Sequence, residues 1–497
     1  MRYLLGVDVG SYSTKASLLS SDGTLIATAT RAHAMQVPAP GRAEHDAQAV
    51  WWDGFKAVSA QVLQTAGVSA ADIAGVGCSG IGPCMLPLDD AAQPLRAAVL
   101  YGIDTRAEQQ IDVLTKRYGT DLLMQACGGA LTTQAVGPKV LWLQNQEPQV
   151  FANTAHIVGC TTFLVQRLTG NFVVDHYSAS THLPFYDIHH LRWDVQRVQD
   201  TCPPGWLPDI GWTTDIAGHI TREAALQTGL AEGTPVVVGT IDSAAEAMSV
   251  GVQRSGDLMV QYGTTMFFIQ VIDGLHNDAR HWSAPYLFPG TWAAMGGMSG
   301  GGGLTHWFAK LIASGPTAEP DFAALAAAAA HSPPGARGLI VLPYFSGERT
   351  PINDPKACGM VFGLNLHHSQ ADLYRAVLEG IGHATRHNID MLREISPCAV
   401  VDAVGGGVHN AVWLQASADI TGTPQRIRQH TIGASMGSAF LAGIGVGAFQ
   451  AGDIDRINPV VRDVQPQSQW RGLYEADHRT YQALYEATRH VMHSRAV

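Results

Sequence analysis

Apolar residues gather in short runs broken by glycine and by acid–glycine pairs, and two of these runs share one plan. Leu4-Leu5-Gly6-Val7-Asp8-Val9 leads to Gly10-Ser11, then to Lys15-Ala16-Ser17-Leu18-Leu19 and Asp22-Gly23. Leu258-Met259-Val260-Gln261-Tyr262 leads to Gly263-Thr264-Thr265, then to Met266-Phe267-Phe268-Ile269 and Asp273-Gly274. Apolar segments of this length between turn residues predict strands, so each copy predicts a β-hairpin. The tips present backbone N–H groups and hydroxyls. A third strand is predicted over 24–30. Over 46–66, Val50, Trp51, Phe55, Val58, Val62 and Leu63 recur at helical spacing, with Asp46 suited to the N-cap and Gly67 to the helix end. Residues 73–77 predict a buried strand that ends in the glycine-rich run 77–83. The wholly apolar stretch 235–239 predicts a strand buried on both faces, and it runs into Thr240-Ile241-Asp242-Ser243 and a small-residue helix. Another buried strand, 399–404, ends in Gly405-Gly406-Gly407. The pattern over 106–170 is mostly helical, as are 323–330 and 473–493.

The hairpin opens each half of the chain, so a duplicated domain is the simplest reading. At 497 residues the chain is too long for one ordinary core. The predicted division is 1–247 and 248–497. With 53 glycines, 46% apolar and 15% charged residues, the composition is that of an α/β globular protein with many tight strand-to-helix turns. The net charge of −11, without long runs, argues against nucleic-acid or anionic-membrane partners. No signal peptide is expected ahead of Tyr3, and no apolar run reaches the roughly 18 residues of a membrane helix. The seven cysteines are scattered without metal spacing, which predicts reduced thiols and a cytoplasmic location. His189-His190 and His367-His368 lack flanking ligands and are not read as metal sites.

Three places carry candidate chemistry. In the first tip, Gly10, Ser11, Ser13, Thr14 and Lys15 combine close backbone approach, hydroxyl donors and a cation, which suits phosphate. Asp8 can hold a divalent metal directly or through water, while the second copy has Gln261 at that place. The strand after the first tip excludes Rossmann and P-loop sites, which need a helix there. Asp242, at the end of a buried strand, reads either as a helix N-cap or as a general base. The turn Gly405-Gly406-Gly407-Val408-His409-Asn410 either lets a flat ligand lie on the backbone or is a tight turn alone.

In this order the pieces resemble the FGGY carbohydrate kinases, part of the wider actin/Hsp70/hexokinase group, and most closely the xylulokinase branch. Leu342-Pro343-Tyr344-Phe345-Ser346-Gly347-Glu348-Arg349-Thr350-Pro351 and Gly359-Met360-Val361-Phe362-Gly363-Leu364 are similar to that branch. The resemblance implies an α/β fold of two ribonuclease-H-like domains with a cleft between them. It implies an ATP-dependent kinase using Mg²⁺ and a small sugar, and a homodimer. Asp8 would support Mg²⁺, and residues 10–15 would meet the terminal phosphates. Gly263, Thr264 and Thr265 would form an opposing clamp. Gly302 and His306 fall where the family contacts nucleotide, Gly406, Gly407 and Asn410 would line the adenine pocket, and Asp242 matches the catalytic base.

Substrate choice is where the pattern departs. Bacterial xylulokinases usually carry Gln-Met-His-Gly where this chain has Ser79-Gly80-Ile81-Gly82, so small residues at 80 and 82 are expected to leave room for a different polyol. Ser79, Gly80, Ile81 and Asp104 are the candidate sugar-facing residues beside Asp242. The loop Tyr101-Gly102-Ile103-Asp104-Thr105-Arg106 stands in for Trp-Asn-Asp-Gly-Arg. There Asp104 either accepts sugar hydroxyls or is braced by Arg106. A ketopentose such as D-xylulose is the first expectation, with ribulose, glycerol or another polyol as alternatives, and a non-sugar ATPase of the actin/Hsp70 class as a further one.

Overall fold

The first apolar run folds as β1 (Tyr3–Val9), turns over residues 10–12 and returns as β2 (Ser13–Ser20), with Asp8 opposite Lys15 and Val9 opposite Thr14. The computed structural model describes residues 1–312 and 321–495. One compact unit comprises Met1–Gln253, Asp273–Ala293 and Ile432–Pro459, and a second comprises Arg254–Ile272, Ala294–Thr431 and Val460–Val497.

In the first unit, β3 (Leu25–Ala32) continues the antiparallel meander, and β4 (Ile73–Gly80) lies parallel to β1 on its other side. Beyond β4 come β6 (Pro235–Val237) and, at the edge, β5 (Ile216–His219); β7 (Thr240–Ile241) also pairs with β4. The apolar stretch 235–239, expected as one strand, is strand only as far as Val237, and residues 238–239 break it before β7. Strand alternation decides the faces. Leu5, Val7, Val9, Ala16 and Leu18 share one cluster with Phe55, Val58 and Val62 of the helix Asp53–Ala66. Each of these fully buried Leu, Val and Phe side chains contributes on the order of 1.5–3 kcal/mol. Asp46 accepts from Ala49 N as the N-cap of the helical turns Ala47–Trp52 that lead into this helix, and Gly67 closes it at φ 64°.

The opposite face carries Gly6, Asp8, Lys15 and Ser17, and it packs on the helix Ala434–Gly445. A methyl at Gly6 would overlap the Ser435 carbonyl and Ala439, and one at Gly437 would overlap the Ala245 carbonyl. Strand β1 and the helix Asp242–Ser249 thus dock on one helix with no space for a Cβ.

The second unit repeats the plan. Strands β8 (Leu258–Tyr262) and β9 (Met266–Ile272) form the second hairpin, with Gln261 opposite Phe267. With β10 (Trp292–Met298), β11 (Val401–Val404), β12 (Gln425–Arg428) and β13 (Val460–Val464), the order is β10-β9-β8-β11-β12-β13. In both units an antiparallel hairpin with a third strand beside it is followed by strands parallel to its first member, the order expected of a ribonuclease-H-like domain. The helices Gln370–Arg393, Ala411–Thr421 and Arg471–Arg495 complete the second unit.

Candidate active site

Asp8, Ser79 and Thr240 lie abreast on β1, β4 and β7, and Asp242 begins its helix two residues past Thr240. Two carboxylates therefore emerge at the carboxyl ends of parallel strands, where α/β sheets hold their ligands. Ser79 Oγ donates to Asp8 Oδ1 at 2.8 Å. Ser243 N donates to Asp242 Oδ1 at 2.7 Å, and Asp242 is half-buried at the first helical position rather than at the N-cap. Burial raises the Asp8 carboxyl, against the pull of Ser79 and Lys15. Burial, and then the negative charges of Asp8 and Glu246, push Asp242 well above the usual carboxylate range, while the Ser243 N–H opposes. The turn that carries Asp242 is braced from behind. Thr240 Oγ1 donates to the buried Asp175 at 2.8 Å, Thr161 Oγ1 donates to the Thr240 carbonyl at 2.8 Å, and the Tyr177 hydroxyl lies 3.4 Å from Ser243 Oγ.

Both tips are three-residue turns. In the first, Gly10 N donates to Ser13 O at 2.9 Å, and Gly10, Ser11 and Ser13 are half-buried. In the second, Thr264 and Thr265 are exposed. There the carbonyls of Gly263 and Thr264 accept from Gly302 N at 2.8 Å and Gly303 N at 2.9 Å, at the start of the helix Gly302–Ile312. In a trans peptide the C=O and the following N–H point in opposite directions. The N–H groups of Thr264 and Thr265 are thereby turned away from that helix. Gly405, at φ 88°, packs where a methyl would lie 2.8 Å from the Tyr262 carbonyl, so the turn 405–407 sits directly on the end of β8. Gly406 has open space beside its Cα. Within the second unit, the residues expected to contact nucleotide at 263–265, 302, 406 and 407 therefore adjoin the same strand end. His306 is exposed and stacks on Phe322.

Several expectations need correction. Thr14 is fully buried with its side chain against Gly54, because it alternates with Ser13 and Lys15 and so faces the core. Ser79 is fully buried and its hydroxyl donates to Asp8. Ile81 is buried in the main core of the first unit, with its N–H bonded to Val9 O at 2.7 Å. The missing side chains at 80 and 82 open no room. A methyl at Gly80 would lie 2.5 Å from Cys160 Sγ, and one at Gly82 would lie 2.7 Å from Ile241. Asp104 is braced, not ligand-facing: it accepts from Ala43 N at 2.7 Å and from the Arg106 backbone and guanidinium, and Arg106 Nη1 reaches Glu44 at 2.8 Å. Asn410 Oδ1 caps the helix Ala411–Thr421 at Val412 N and Trp413 N, and its side chain also bonds Tyr374. Residue-by-residue reading missed Tyr101, whose hydroxyl lies 3.3 Å from Ser11 Oγ and which feels the charge of Asp242. Its signal was the tyrosine standing where tryptophan is usual.

Comparison with known proteins agrees with this fold. The N-terminal domain of the FGGY family of carbohydrate kinases matches residues 3–249, and the family's C-terminal domain matches residues 258–446. The xylulose kinase of Escherichia coli (strain K12) is 30% identical, over 97% of this chain and 98% of its own. The crystal structure of xylulose kinase from Rhodospirillum rubrum superposes with a TM-score of 0.91 at 31% identity, covering 99% of this chain and 100% of that one. A gluconokinase of Bacillus licheniformis is 26% identical, over 92% of this chain and 89% of its own. The chain belongs to the FGGY family of carbohydrate kinases, enzymes that use ATP to phosphorylate a sugar. Among the described residues, no helix is long and apolar enough to cross a membrane.

Proposed function

We propose that this kinase transfers the γ-phosphoryl group of ATP to a hydroxyl of a ketopentose, D-xylulose, with Asp242 as the general base. The observation that carries the proposal is the pair Asp8 and Asp242, two carboxylates at adjoining strand ends, each pushed by burial toward proton uptake, with the charge of Asp8 adding to the push on Asp242. A carboxylate with a raised proton affinity is suited to take the hydroxyl proton as the oxygen attacks. Phosphoryl transfer otherwise needs positioning and charge neutralisation. The full-length likeness to proteins named xylulose kinase supports the choice of sugar.

In this reading Asp242 accepts the proton of one sugar hydroxyl. The oxygen forms a bond to the γ-phosphorus, the bond from that phosphorus to the β-phosphate bridging oxygen breaks, and ADP leaves. Ser243 holds Asp242 in place, and the brace of Asp175, Thr161 and Thr240 fixes the turn beneath it. Gly10, Ser11, Ser13 and Lys15 would meet phosphate through N–H groups, hydroxyls and an ammonium, and Gly263, Thr264 and Thr265 would do so through N–H groups and hydroxyls. The turn 405–407, with Gly302, borders the adenosine.

The donor set fits Mg²⁺. Asp8 is a hard oxygen ligand whose Oδ1 is oriented by Ser79 and whose Oδ2 lies toward the Gly10 turn. Mg²⁺ typically takes only one or two protein carboxylates beside nucleotide phosphates and water. When bound, Mg²⁺ supplies positive charge against the phosphate oxygens. Asp8 would hold it, directly or through water.

ADP release measured over D-xylulose, ribulose, gluconate and glycerol tests the substrate. The highest kcat/KM is expected for D-xylulose. A preference for gluconate or glycerol would overturn the sugar assignment and leave the family unchanged.

A further inference from the structure

The first tip is held by a histidine that lies outside it. His45 is fully buried, with its two ring nitrogens engaged on opposite sides. Trp51 Nε1 lies 3.1 Å from His45 Nδ1, and the Ser11 carbonyl lies 3.1 Å from His45 Nε2. The chemistry of the partners assigns the proton. An indole N–H only donates, so Nδ1 accepts; a carbonyl only accepts, so Nε2 carries the hydrogen. His45 is thus a neutral imidazole in one tautomer. Burial, followed by the neighbouring His33, keeps it uncharged.

The consequence lies in the peptide plane that His45 grips. The Ser11 carbonyl points at His45, so the Tyr12 N–H of the same plane points the opposite way. The next plane is fixed similarly, because the Tyr12 carbonyl accepts from His33 N at 2.9 Å. The Ser11 side chain is held as well, through Tyr101. These two carbonyl contacts leave the Tyr12 and Ser13 N–H groups directed away from the residues that hold the turn, while the Gly10 N–H is bonded within it to the Ser13 carbonyl.

We infer that His45, locked in its tautomer by Trp51, is a positioning residue that aims the Tyr12 N–H at the terminal phosphates of ATP. The inference rests on the reading that this tip meets those phosphates. A structural role alone would change stability. A positioning role changes the kinetics of one substrate and spares the other.

The test compares three variants with the wild-type enzyme. His45→Leu removes both hydrogen bonds at similar volume. His45→Gln restores an N–H toward Ser11 and an acceptor toward Trp51. Ser13→Asp puts a negative charge on the tip itself. KM for ATP, KM for the sugar and kcat are measured separately, with thermal unfolding as the fold control. The expected result is a roughly tenfold or larger loss in kcat/KM for ATP in His45→Leu, recovered at least in part by His45→Gln, with the sugar KM within about twofold. Ser13→Asp should raise the ATP KM more steeply still. If Ser13→Asp leaves the ATP KM unchanged, the tip does not meet phosphate and the underlying reading falls. If Ser13→Asp acts but His45→Leu does not, the positioning role alone is overturned. Equal losses for both substrates in His45→Leu also overturn it. Should His45→Leu fail to fold, His45→Gln with an ATP KM raised as far as that of Ser13→Asp overturns it, and an ATP KM near wild type sustains it.

Discussion

Ser79 Oγ donates a 2.8 Å hydrogen bond to Asp8 Oδ1, tying the carboxylate of β1 to the strand beside it. The bond favours the charged form of Asp8 against the upward push of burial. Ser79→Ala is therefore expected to raise the proton affinity of Asp8 further. If activity needs Asp8 ionised, kcat/KM falls as pH drops through its pKa, and the variant's acid limb lies at higher pH than the wild type's. A pH–rate profile that does not move would separate Asp8 ionisation from turnover.

Gly80→Ala should cost stability without altering sugar preference. The added methyl would meet Cys160 Sγ at 2.5 Å and Cys160 Cβ at 2.8 Å inside a packed core. Overpacking of this kind costs about 1–3 kcal/mol. Urea denaturation should show that loss, and the ratio of kcat/KM between D-xylulose and other polyols should stay constant. A changed ratio at unchanged stability would mean that residue 80 borders the sugar.

The helix Arg471–Arg495 carries a histidine that links pH to stability. His478 is buried and stacks on Tyr481, and His383 of the helix Gln370–Arg393 lies beside both. Burial first, then Arg386, lowers His478 to about 4. The unfolded histidine titrates near 6.5. Between these values the unfolded chain binds the extra proton, so the full contribution is present above about 6.5 and is lost as pH falls toward 4. His478→Phe keeps the stack and removes the titration. Urea midpoints are expected to fall less in the variant than in the wild type between about pH 7.5 and pH 4.5. Parallel falls would rule His478 out.

The buried Glu348 predicts the opposite slope. Its Oε1 accepts from Ser299 N and Arg349 N at 2.7 and 2.8 Å, yet burial still raises its carboxyl to about 7. Below its unfolded value this group is protonated in both states. As pH rises from there to about 7 the unfolded chain ionises first, and stability falls. Glu348→Gln should therefore be more stable than wild type at about pH 8, relative to the difference at pH 4, by thermal unfolding. An equal difference at both pH values would contradict this.

The periodic features were legible in the chain. The two hairpins, the helical stretch 47–66 with its cap at Asp46, and the position of Asp242 at a strand end all follow from local pattern, which strand alternation and capping chemistry encode within a few residues. Contacts between distant segments were not. Nothing near Gly80 announces that Cys160 fills its space, and nothing near Gly437 announces Ala245. Thr14 looked like one more hydroxyl in a polar tip until β2 began at Ser13 and turned it inward. His45 carries no signal at all without Trp51 and Ser11 folded around it. The motif at 79–82 was legible as a departure from its relatives but not in its consequence, because composition reports side-chain volume and not which neighbour occupies the remainder.

The central claim is that Asp242 takes the proton from the sugar. Asp242→Asn keeps the shape and the acceptor for Ser243 N while removing the base. Single-turnover phosphorylation of D-xylulose, measured beside ATP affinity in the same preparation, tests it directly. A fall in rate of about 10²- to 10⁴-fold is expected, with ATP binding retained. A variant that phosphorylates the sugar at the wild-type rate would contradict it.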